Sequence, residues 1–148
     1  MIPGEIEIQK VTWEDAEAVL RSIRTRVFIQ EQGVPEELEW DGLDARCVHL
    51  VAVAAGEPVG TVRLLPDAHI GRMAVLKDWR NKKVGAALLR GIIDIARKEG
   101  MRQVDLNAQT SARGFYEKHG FRSVGGEFMD AGIPHYHMML ALSCGEPK

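Results

Sequence analysis

The N-terminal part of the chain changes from a strand-like to a helix-like alternation of apolar and polar positions. EIEIQKV alternates as a half-buried strand does, and TWED follows with Thr12 as a candidate helix N-cap and Asp15 three residues later. Apolar residues then recur at steps of three and four, which predicts a helix with one buried face as far as about Phe28. This face comprises Ala16, Val19, Leu20, Ile23 and Val27. The following stretch, VFIQEQGVPEELEWDGLD, breaks the helical pattern.

The middle of the chain predicts three strands followed by a long helix. HLVAVAA and PVGTVRLL are strand-like and are joined by GE, which predicts a hairpin, and HIGRMAV supplies a third strand in which Gly71 suggests a bulge. A helical pattern starts at Lys82, and Gly100 is placed just after the end of that helix. One apolar stripe runs along it, formed by Val84, Leu88, Ile92 and Ile95.

The last third alternates again between strands and one short helix. RQVDLNA, FRSVG and HYHMMLAL are strand-like, and TSARGFYEKH predicts a short helix that stops at Gly120. The predicted order is β-α-(α)-β-β-β-α-β-α-β-β, in one domain over residues 1–148. We therefore expect a mixed sheet, antiparallel first, with a parallel pair joined by the helix from about Lys82 to Glu99.

Composition and charge narrow the function classes. Against 19 Lys and Arg stand 21 Asp and Glu, a formal charge of -2, which argues against a nucleic-acid partner. The sequence has no long apolar run and no leader-like N-terminus, so we expect no membrane association and a cytoplasmic location. Cys47 and Cys144 lack CxxC spacing and are expected to be small buried hydrophobic residues rather than nucleophiles.

A basic turn precedes the long helix and is the first candidate binding site. Arg80, Lys82 and Lys83 stand where a helix start leaves backbone N–H groups unpaired, which predicts an anion site. The alternative is that these side chains are merely solvated and that Gly85 permits close packing of helix on sheet. The turn has neither the GxxxxGK of a P-loop nor the GxGxxG of a dinucleotide-binding turn.

The turn and its surroundings resemble the GNAT superfamily of N-acetyltransferases. HIGRMAVLKDWRNKKVGAALL contains the pyrophosphate motif Q/R-x-x-G-x-G/A from Arg80 to Gly85, and FYEKHGF resembles the second cofactor motif. FIQEQGVPEELEWDGLD, GTVRLLP and GIPHYHMML further resemble the ElaA/YjcF-like subgroup. Two residues depart from the pattern, since Lys83 replaces the first motif glycine and Gln109 stands where many relatives carry Asn.

The resemblance implies an α/β (α+β) fold of the GNAT type. It is a mixed, mostly antiparallel sheet of six to seven strands flanked by about four helices, with a splayed parallel pair at the cofactor site. The implied activity is direct transfer of an acetyl group from acetyl-CoA to an amine. The implied cofactor-binding residues are Met73, Ala74, Val75, Arg80, Lys82, Lys83, Val84, Gly85, Ala86, Asn107 and Tyr116. We expect the amides of residues 84–86 to bind the pyrophosphate despite Lys83.

Candidate catalytic residues follow from the chemistry of acyl transfer. Tyr116 is the candidate general acid for the departing thiolate, and a backbone N–H near Val75 would stabilise the oxyanion. Glu31 and His69 are candidate bases for the acceptor ammonium, and Arg63 and His135 are candidate acceptor contacts. Residues 27–45 contain no Lys or Arg and six acidic residues, which predicts either a field that attracts a cation or a solvated loop.

Three alternatives stay open at this point. His135 and His137 share one strand face and could bind a metal, although no third ligand has a recognisable spacing, so no metal is expected. A GNAT fold with an altered turn could also be a non-catalytic CoA-sensing or partner-binding module. The acceptor, a small-molecule or peptide amine, is not identified by the sequence, and a homodimer is left open.

Overall fold

A computed structural model describes residues 5–80 and 83–142. Its strands are β1 Ile6–Val11, β2 Val48–Ala54, β3 Glu57–Leu64, β4 Ile70–Val75, β5 Gln103–Gln109, β6 Arg122–Ser123, β7 Phe128–Asp130 and β8 Ile133–Ala141. Its α-helices are α1 Trp13–Arg24, α2 Glu36–Glu39, α3 Val84–Lys98 and α4 Arg113–Lys118. A π-helix spans Thr25–Glu31, and 3-10 turns occupy Asp44–Arg46, Lys77–Trp79 and Thr110–Ala112. No helix in the described ranges is long and apolar enough to cross a membrane.

Two antiparallel sheets meet at one point. The first sheet has the order β1-β2-β3-β4, and in the second β5 and β6 flank β8, which also pairs with β7. Between β4 and β5 the described residues form a single parallel bridge, His69 with Asp105, next to a hydrogen bond from the Asp105 N–H to the Ala68 carbonyl. Beyond this bridge the two strands separate, which confirms the predicted fold with its splayed parallel pair.

An eighth strand, β7, was not predicted. It pairs with β8 through a tight turn at Ala131 and Gly132, with φ of 52° and 77°. The β2–β3 hairpin likewise turns at Ala55 and Gly56, one residue earlier than the predicted GE, with φ of 52° and 78°. In both turns an alanine occupies the first left-handed position, where Asn, Asp or Gly is the usual sequence signal.

The first helix starts and packs as predicted but does not end as predicted. The Thr12 hydroxyl accepts a hydrogen bond from the Asp15 N–H at 3.1 Å, and Leu20 and Ile23 are buried. The chain then continues as a π-helix to Glu31 instead of stopping at about Phe28. The period of a π-helix differs from 3.6 residues, so the helical apolar pattern breaks there while the helix itself goes on.

The bulge in β4 lies one residue after the predicted position. Thr61 pairs with Ala74 and Arg63 with Gly71, so three steps on β4 face two steps on β3. The extra residue falls at Arg72–Met73, and Arg72 has the left-handed φ of 51°. Gly71 itself remains in the ladder, opposite Arg63. The bulge turns this part of β4 away from β3, beside the splay.

Helix α3 covers the first sheet, and α1 packs against β3 and β4. Val84, Leu88 and Ile92 of the predicted stripe are fully buried, and the helix ends before Gly100, whose φ is 82°. Helix and sheet approach each other closely at Gly60 and at Gly91, and not at Gly85. A Cβ at Gly60 would lie 3.0 Å from the Leu88 side chain and 3.0 Å from the Ala74 carbonyl oxygen.

Candidate active site

A cleft opens where β4 and β5 separate. It has a volume of about 460 Å³ and extends from the π-helix and α2 on one side to the β7–β8 turn on the other. Many of the predicted site residues line it, namely His69, Met73, Ala74, Val75, Arg80, Asn107, Tyr116 and His135. The structure therefore brings residues from distant parts of the sequence together around one space.

One wall of the cleft is the free edge of β4. Because β4 and β5 are the edge strands of their sheets, the backbone groups of Met73–Val75 that face β5 have no partner strand within the described residues. Exposed edges of this kind bind extended ligands through main-chain hydrogen bonds. An elongated, amide-containing arm could therefore lie along this strand.

The start of α3 stands beside that edge. The first backbone hydrogen bond of α3 runs from the Ala87 N–H to the Lys83 carbonyl. The N–H groups of Val84, Gly85 and Ala86 therefore have no acceptor within the helix. A Cβ placed on Gly85 would lie 3.9 Å from the Met73 sulfur and 3.6 Å from the Phe115 ring. The predicted anion site is thus adjacent to the cleft.

Lys83 adopts the conformation that the motif glycine would favour. It is the N-cap of α3, with φ of 70° and ψ of 12°, and its side chain is exposed. The backbone is therefore left-handed rather than helical at this residue. The predicted contribution of Lys82 lies outside the described residues.

Arg80, a predicted cofactor contact, and Glu31, a candidate base, form one ion pair. Both terminal nitrogens of Arg80 contact the Glu31 carboxylate, one of them at 3.1 Å, and Arg80 Nε donates to the Val75 carbonyl at 2.9 Å. The hydrogen bond from Arg80 lowers the pKa of Glu31 and outweighs the opposing effect of burial. A carboxylate held in this way is a weak base.

Tyr116 projects from α4 into the cleft. Its hydroxyl lies 3.9 Å from the Met73 sulfur on β4, so the phenol faces the strand edge across the splay. Burial raises the pKa of Tyr116 to about 12. The phenol is therefore protonated at neutral pH and able to donate its proton.

The two histidines that line the cleft have different partners. His69 Nδ1 lies 2.6 Å from an oxygen of Asp105, at the bridge where β4 and β5 still touch. His135 Nδ1 lies 2.7 Å from the Ile133 carbonyl oxygen, and its ring stacks on Phe128 at a centroid distance of 5.9 Å. Both imidazoles leave Nε2 without a hydrogen-bond partner among the described residues.

Arg63 does not reach the cleft, contrary to the expectation that it contacts the acceptor. It is 4% exposed and lies beneath residues 41–44, where its terminal nitrogens donate to Asp41 at 2.6 Å and to Asp44 at 2.9 Å. Arg24 donates to the same Asp44 oxygen at 2.7 Å and to Glu39 at 2.7 Å. Arg63 therefore belongs to a buried ion-pair network.

This network also changes the interpretation of the acidic segment. Three of its six acidic residues, Glu39, Asp41 and Asp44, are paired with arginines, and Glu31 is paired with Arg80. Arg72, at the β4 bulge, adds contacts to Glu39 and Asp41, both at 3.2 Å. The segment therefore does not present a strong unpaired negative field to an acceptor, because most of its charge is neutralised internally.

Three residues of the site were not singled out from the sequence. Asp105 holds His69, Gln32 at the end of the π-helix accepts a hydrogen bond from the Gln109 side chain at 2.9 Å across the cleft, and Arg72 anchors the wall. The sequence contained a signal for one of them. Asp105, Asn107 and Gln109 are two residues apart in β5 and lie on the same face, which is polar over its whole length.

The remaining candidate chemistry finds little support in the structure. The described residues contain no group of three or more His, Cys, Asp and Glu side chains that could hold a metal ion. The Cys47 thiol donates to the Leu43 carbonyl, and burial raises its pKa, which makes it a poor nucleophile. Cys144 lies outside the described residues.

Comparisons with known proteins agree with this geometry. The profile of the acetyltransferase (GNAT) domain matches residues 10–142. YjcF of Bacillus subtilis, described as an uncharacterised N-acetyltransferase, is 40% identical over 121 residues, which are 79% of this chain and 86% of that protein. Among solved structures, an acyl-CoA N-acyltransferase from Pseudomonas aeruginosa has a TM-score of 0.83 and 27% identity, covering 93% of this chain and 100% of that one.

Escherichia coli ElaA has a TM-score of 0.82 and 28% identity, covering 92% of this chain and 99% of that one. The predicted resemblance is thereby confirmed in both sequence and fold. The protein belongs to the GNAT acetyltransferase family.

Proposed function

We propose that this protein transfers an acetyl group from acetyl-CoA to a primary amine by direct attack of the amine on the thioester. The observation that carries the proposal is the splay between β4 and β5, with the Tyr116 hydroxyl facing Met73 across it. Family membership supports the acyltransferase class. In this proposal residues 1–148 form one catalytic domain that works in the cytoplasm.

The chain offers two separate binding elements for acetyl-CoA. The N–H groups of Val84, Gly85 and Ala86, which have no partner within the helix, suit a pyrophosphate, since a helix start carries a partial positive charge. The free edge of β4 at Met73–Val75 suits the pantetheine arm, whose amides can pair with a strand. Asn107 lines the opposite wall and can contact the same arm.

Arg80 has to change partners in this proposal. Its guanidinium is engaged by Glu31, so binding of the pyrophosphate would compete with that carboxylate for the same nitrogens. This ion pair is also the observation that favours the second candidate, a non-catalytic module in which the anion site stays closed. The enzyme is preferred because a partner-binding module has no chemical need for a protonated phenol in the cleft.

The chain supplies the groups needed at the reacting centre. Backbone N–H groups of β4 near Val75 can stabilise the negative charge that develops on the thioester oxygen. Tyr116, with its pKa of about 12, remains protonated and can donate to the departing thiolate, whose thiol has a pKa of about 8.5. No covalent enzyme intermediate is required.

His69 is the base that the geometry favours over Glu31. An alkylammonium has a pKa of about 10.4, so the acceptor must lose a proton before it attacks. Glu31 is paired with Arg80, whereas His69 lines the cleft with Nε2 free of partners among the described residues. We therefore assign proton removal to His69 and acceptor contact to His135.

Calorimetric titration with acetyl-CoA, with NAD and ATP as controls, tests the proposal first. We expect micromolar binding of acetyl-CoA and no binding of the two controls. Release of free CoA is then measured with a panel of primary amines, together with acetyl-CoA alone as the control for hydrolysis. Absence of acetyl-CoA binding would contradict the enzyme and favour the non-catalytic module with its closed anion site. Tight binding without amine-dependent release of CoA would favour a module that senses CoA.

A further inference from the structure

Four polar side chains form a connected row at the closed end of the cleft. His69 Nδ1 lies 2.6 Å from Asp105 Oδ1, and the other oxygen of Asp105 lies 3.7 Å from His137 Nε2. His137 Nδ1 in turn lies 2.8 Å from Asn107 Oδ1. The row starts at His69, directly before β4, crosses to β5 at the bridge between the two sheets, and continues to β8.

The contact with Asp105 decides which ring nitrogen of His69 carries the proton. A carboxylate only accepts hydrogen bonds, so at 2.6 Å Nδ1 must be the protonated nitrogen of the neutral ring. The lone pair is then on Nε2. A Cβ on Gly71 would lie 3.8 Å from His69 Cδ2, the carbon bonded to Nε2, and both residues line the cleft. The basic edge of the ring thus lies beside the cleft.

The position of Asp105 is itself fixed by its strand. Its backbone N–H donates to the Ala68 carbonyl at 3.2 Å, so strand pairing holds the residue directly beside His69. Its second carboxylate oxygen lies 3.7 Å from His137 Nε2, which is longer than a hydrogen bond. The close contact of the carboxylate is therefore the one with His69 Nδ1.

We propose that Asp105 is a positioning residue that holds His69 with Nδ1 protonated, so that Nε2 can accept the proton of the amine substrate. The inference rests on the proposed acetyl transfer. In the step, one N–H bond of the acceptor ammonium breaks and an Nε2–H bond forms. The nitrogen lone pair that is released attacks the thioester carbonyl carbon, the C–S bond breaks, and the departing thiolate takes the proton of Tyr116. The second proton lost by the new amide nitrogen returns the phenolate to the phenol, and the imidazolium keeps its Nδ1 proton in the hydrogen bond to Asp105.

The surroundings suit an imidazolium that forms and discharges. The titratable group in contact with the His69 ring is Asp105, whose carboxylate favours a transient positive charge. Asp67 contacts only the His69 backbone N–H, and the charged or titratable groups that otherwise line the cleft are Glu39, Arg72, Arg80, Tyr116, Asp130 and His135. The His69 side chain is 31% exposed, so the proton can pass to solvent after the step.

The test combines kinetics with the ring nitrogen chemical shifts of His69. In ¹⁵N NMR spectra of the full chain, assigned with His69→Gln, wild-type His69 should show the Nδ1–H form. Asp105→Asn should populate the Nε2–H form and lower kcat at least roughly tenfold, with KM for acetyl-CoA changed less than twofold. The matched control is Asp67→Asn, whose side-chain oxygen can still accept from the His69 backbone N–H, and it should keep both kcat and the Nδ1–H form.

The outcomes separate this inference from the proposed function. An Nε2–H form in the wild type, or an Asp105→Asn variant with unchanged kcat, would overturn the positioning role. Wild-type protein that shows the Nδ1–H form but acetylates no amine would contradict the proposed function and the base role with it. The shift of the ring proton in Asp105→Asn would then still establish that Asp105 orients His69.

Discussion

The phenol of Tyr116 differs from the other tyrosine of the chain in its surroundings and in its expected role. Replacing it by Phe keeps the ring, which contacts Phe115 and Phe121, and removes the proton that faces Met73. We expect kcat to fall roughly a hundredfold, because general acids contribute about 10²–10⁴-fold, while the free energy of unfolding changes by less than about 1 kcal/mol. Steady-state kinetics and urea unfolding measure the two effects.

The control for this prediction is Tyr136→Phe. Tyr136 lies on β8 beneath the Arg113 guanidinium, 4.3 Å from the ring centroid, and it does not line the cleft. The same loss of one hydroxyl there should leave kcat within about twofold. A Tyr116→Phe enzyme that turns over as fast as the wild type would remove the phenol from the mechanism.

Lys83 carries a backbone cost that a glycine would not. A non-glycine residue at φ of 70° is strained by about 1–2 kcal/mol in the folded state, and replacing it by glycine removes this strain. Glycine also makes the unfolded chain more flexible, which costs about 0.5–1 kcal/mol of stability. We therefore expect Lys83→Gly to raise the free energy of unfolding by about 0.5–1 kcal/mol. The Kd for acetyl-CoA should change less than tenfold, because the pyrophosphate is expected on backbone amides.

Lys83→Ala separates the two properties of this side chain, since it removes the charge but keeps the strained backbone. It should not stabilise the fold. If Lys83→Gly bound acetyl-CoA more than tenfold more tightly while Lys83→Ala did not, the Cβ at this position, and not the charge, would be limiting cofactor binding, against our expectation.

Local sequence signals were sufficient for some residues of the site and insufficient for others. Arg80, Gly85 and Tyr116 lie in short motifs, so a few neighbouring residues in the sequence were enough to select them as candidates. The pairing of Arg80 with Glu31 spans 49 positions and depends on where the π-helix ends, which one sequence does not reveal. Arg63 was misjudged for the same reason, because its carboxylate partners lie 19 and 22 positions away.

At the scale of elements, buried ion pairs hold the segment from residue 36 to residue 46, in which Leu38 and Glu39 line the cleft. Its fixed points are Glu39 and Asp44, which are 2% and 4% exposed and receive hydrogen bonds from Arg24. Arg24 also lies over the Trp40 ring at 5.0 Å. A short helix of four residues has little stability of its own, so these contacts determine its position.

Asp44→Asn tests this view of the wall. The substitution keeps the shape of the side chain and leaves Arg24 and Arg63 with an incomplete set of buried charges. We expect a loss of about 3–5 kcal/mol in the free energy of unfolding, measured in urea. Glu17→Gln, which breaks the exposed pair with Arg21, should cost about 0.5 kcal/mol or less.

Equal costs for the two variants would contradict the structural role of the buried network. In that case the wall would have to be held by its apolar contacts alone.

Element prediction succeeded where a segment was long and periodic. Helix α3 and strands β2, β3, β5 and β8 have enough alternating positions for the period to be recognised. Strand β7 has three residues and follows GGE, so its pairing with β8 is set by the turn at Ala131 and Gly132 rather than by its own pattern. The π-helix was not predicted for a different reason. It is regular, but its period differs from the 3.6 residues per turn of an α-helix.

At the scale of the molecule, function depends on two sheets that remain incompletely joined. Closing the ladder between β4 and β5 would satisfy both edge strands and fill the cleft. Three features instead stabilise the residues around the open splay. They are the bulge at Arg72, the ion pair of Arg80 with Glu31 and the hydrogen bond between Gln32 and Gln109. The sequence predicted this arrangement only through the family resemblance, since no local pattern signals that neighbouring strands separate.

Acid should destabilise the molecule through the groups that are buried and paired. Burial opposes ionisation of Asp41, but hydrogen bonds from Arg63 outweigh it and lower the pKa of Asp41 from 3.8 to about 2. The pKa of Asp44 is also lowered, because its arginine partners outweigh burial, and burial lowers the pKa of His49 from 6.5. A lowered pKa in the folded state means that protonation favours the unfolded chain.

The resulting prediction is a stability profile with two descending ranges. The free energy of unfolding should begin to fall as pH drops below about 6.5, where unfolded His49 takes up a proton, and should fall further between about pH 4 and pH 2. At about 1.4 kcal/mol per pKa unit, and with water screening the partly exposed Asp41 carboxylate, Asp41 accounts for on the order of 1 kcal/mol of the second range. Urea unfolding at pH 2 to 8 measures the profile, and Asp41→Asn should have a shallower slope below pH 4. A wild-type stability that stays constant from pH 5 to pH 2 would show that the Asp41 and Asp44 pairs contribute as little as exposed ones.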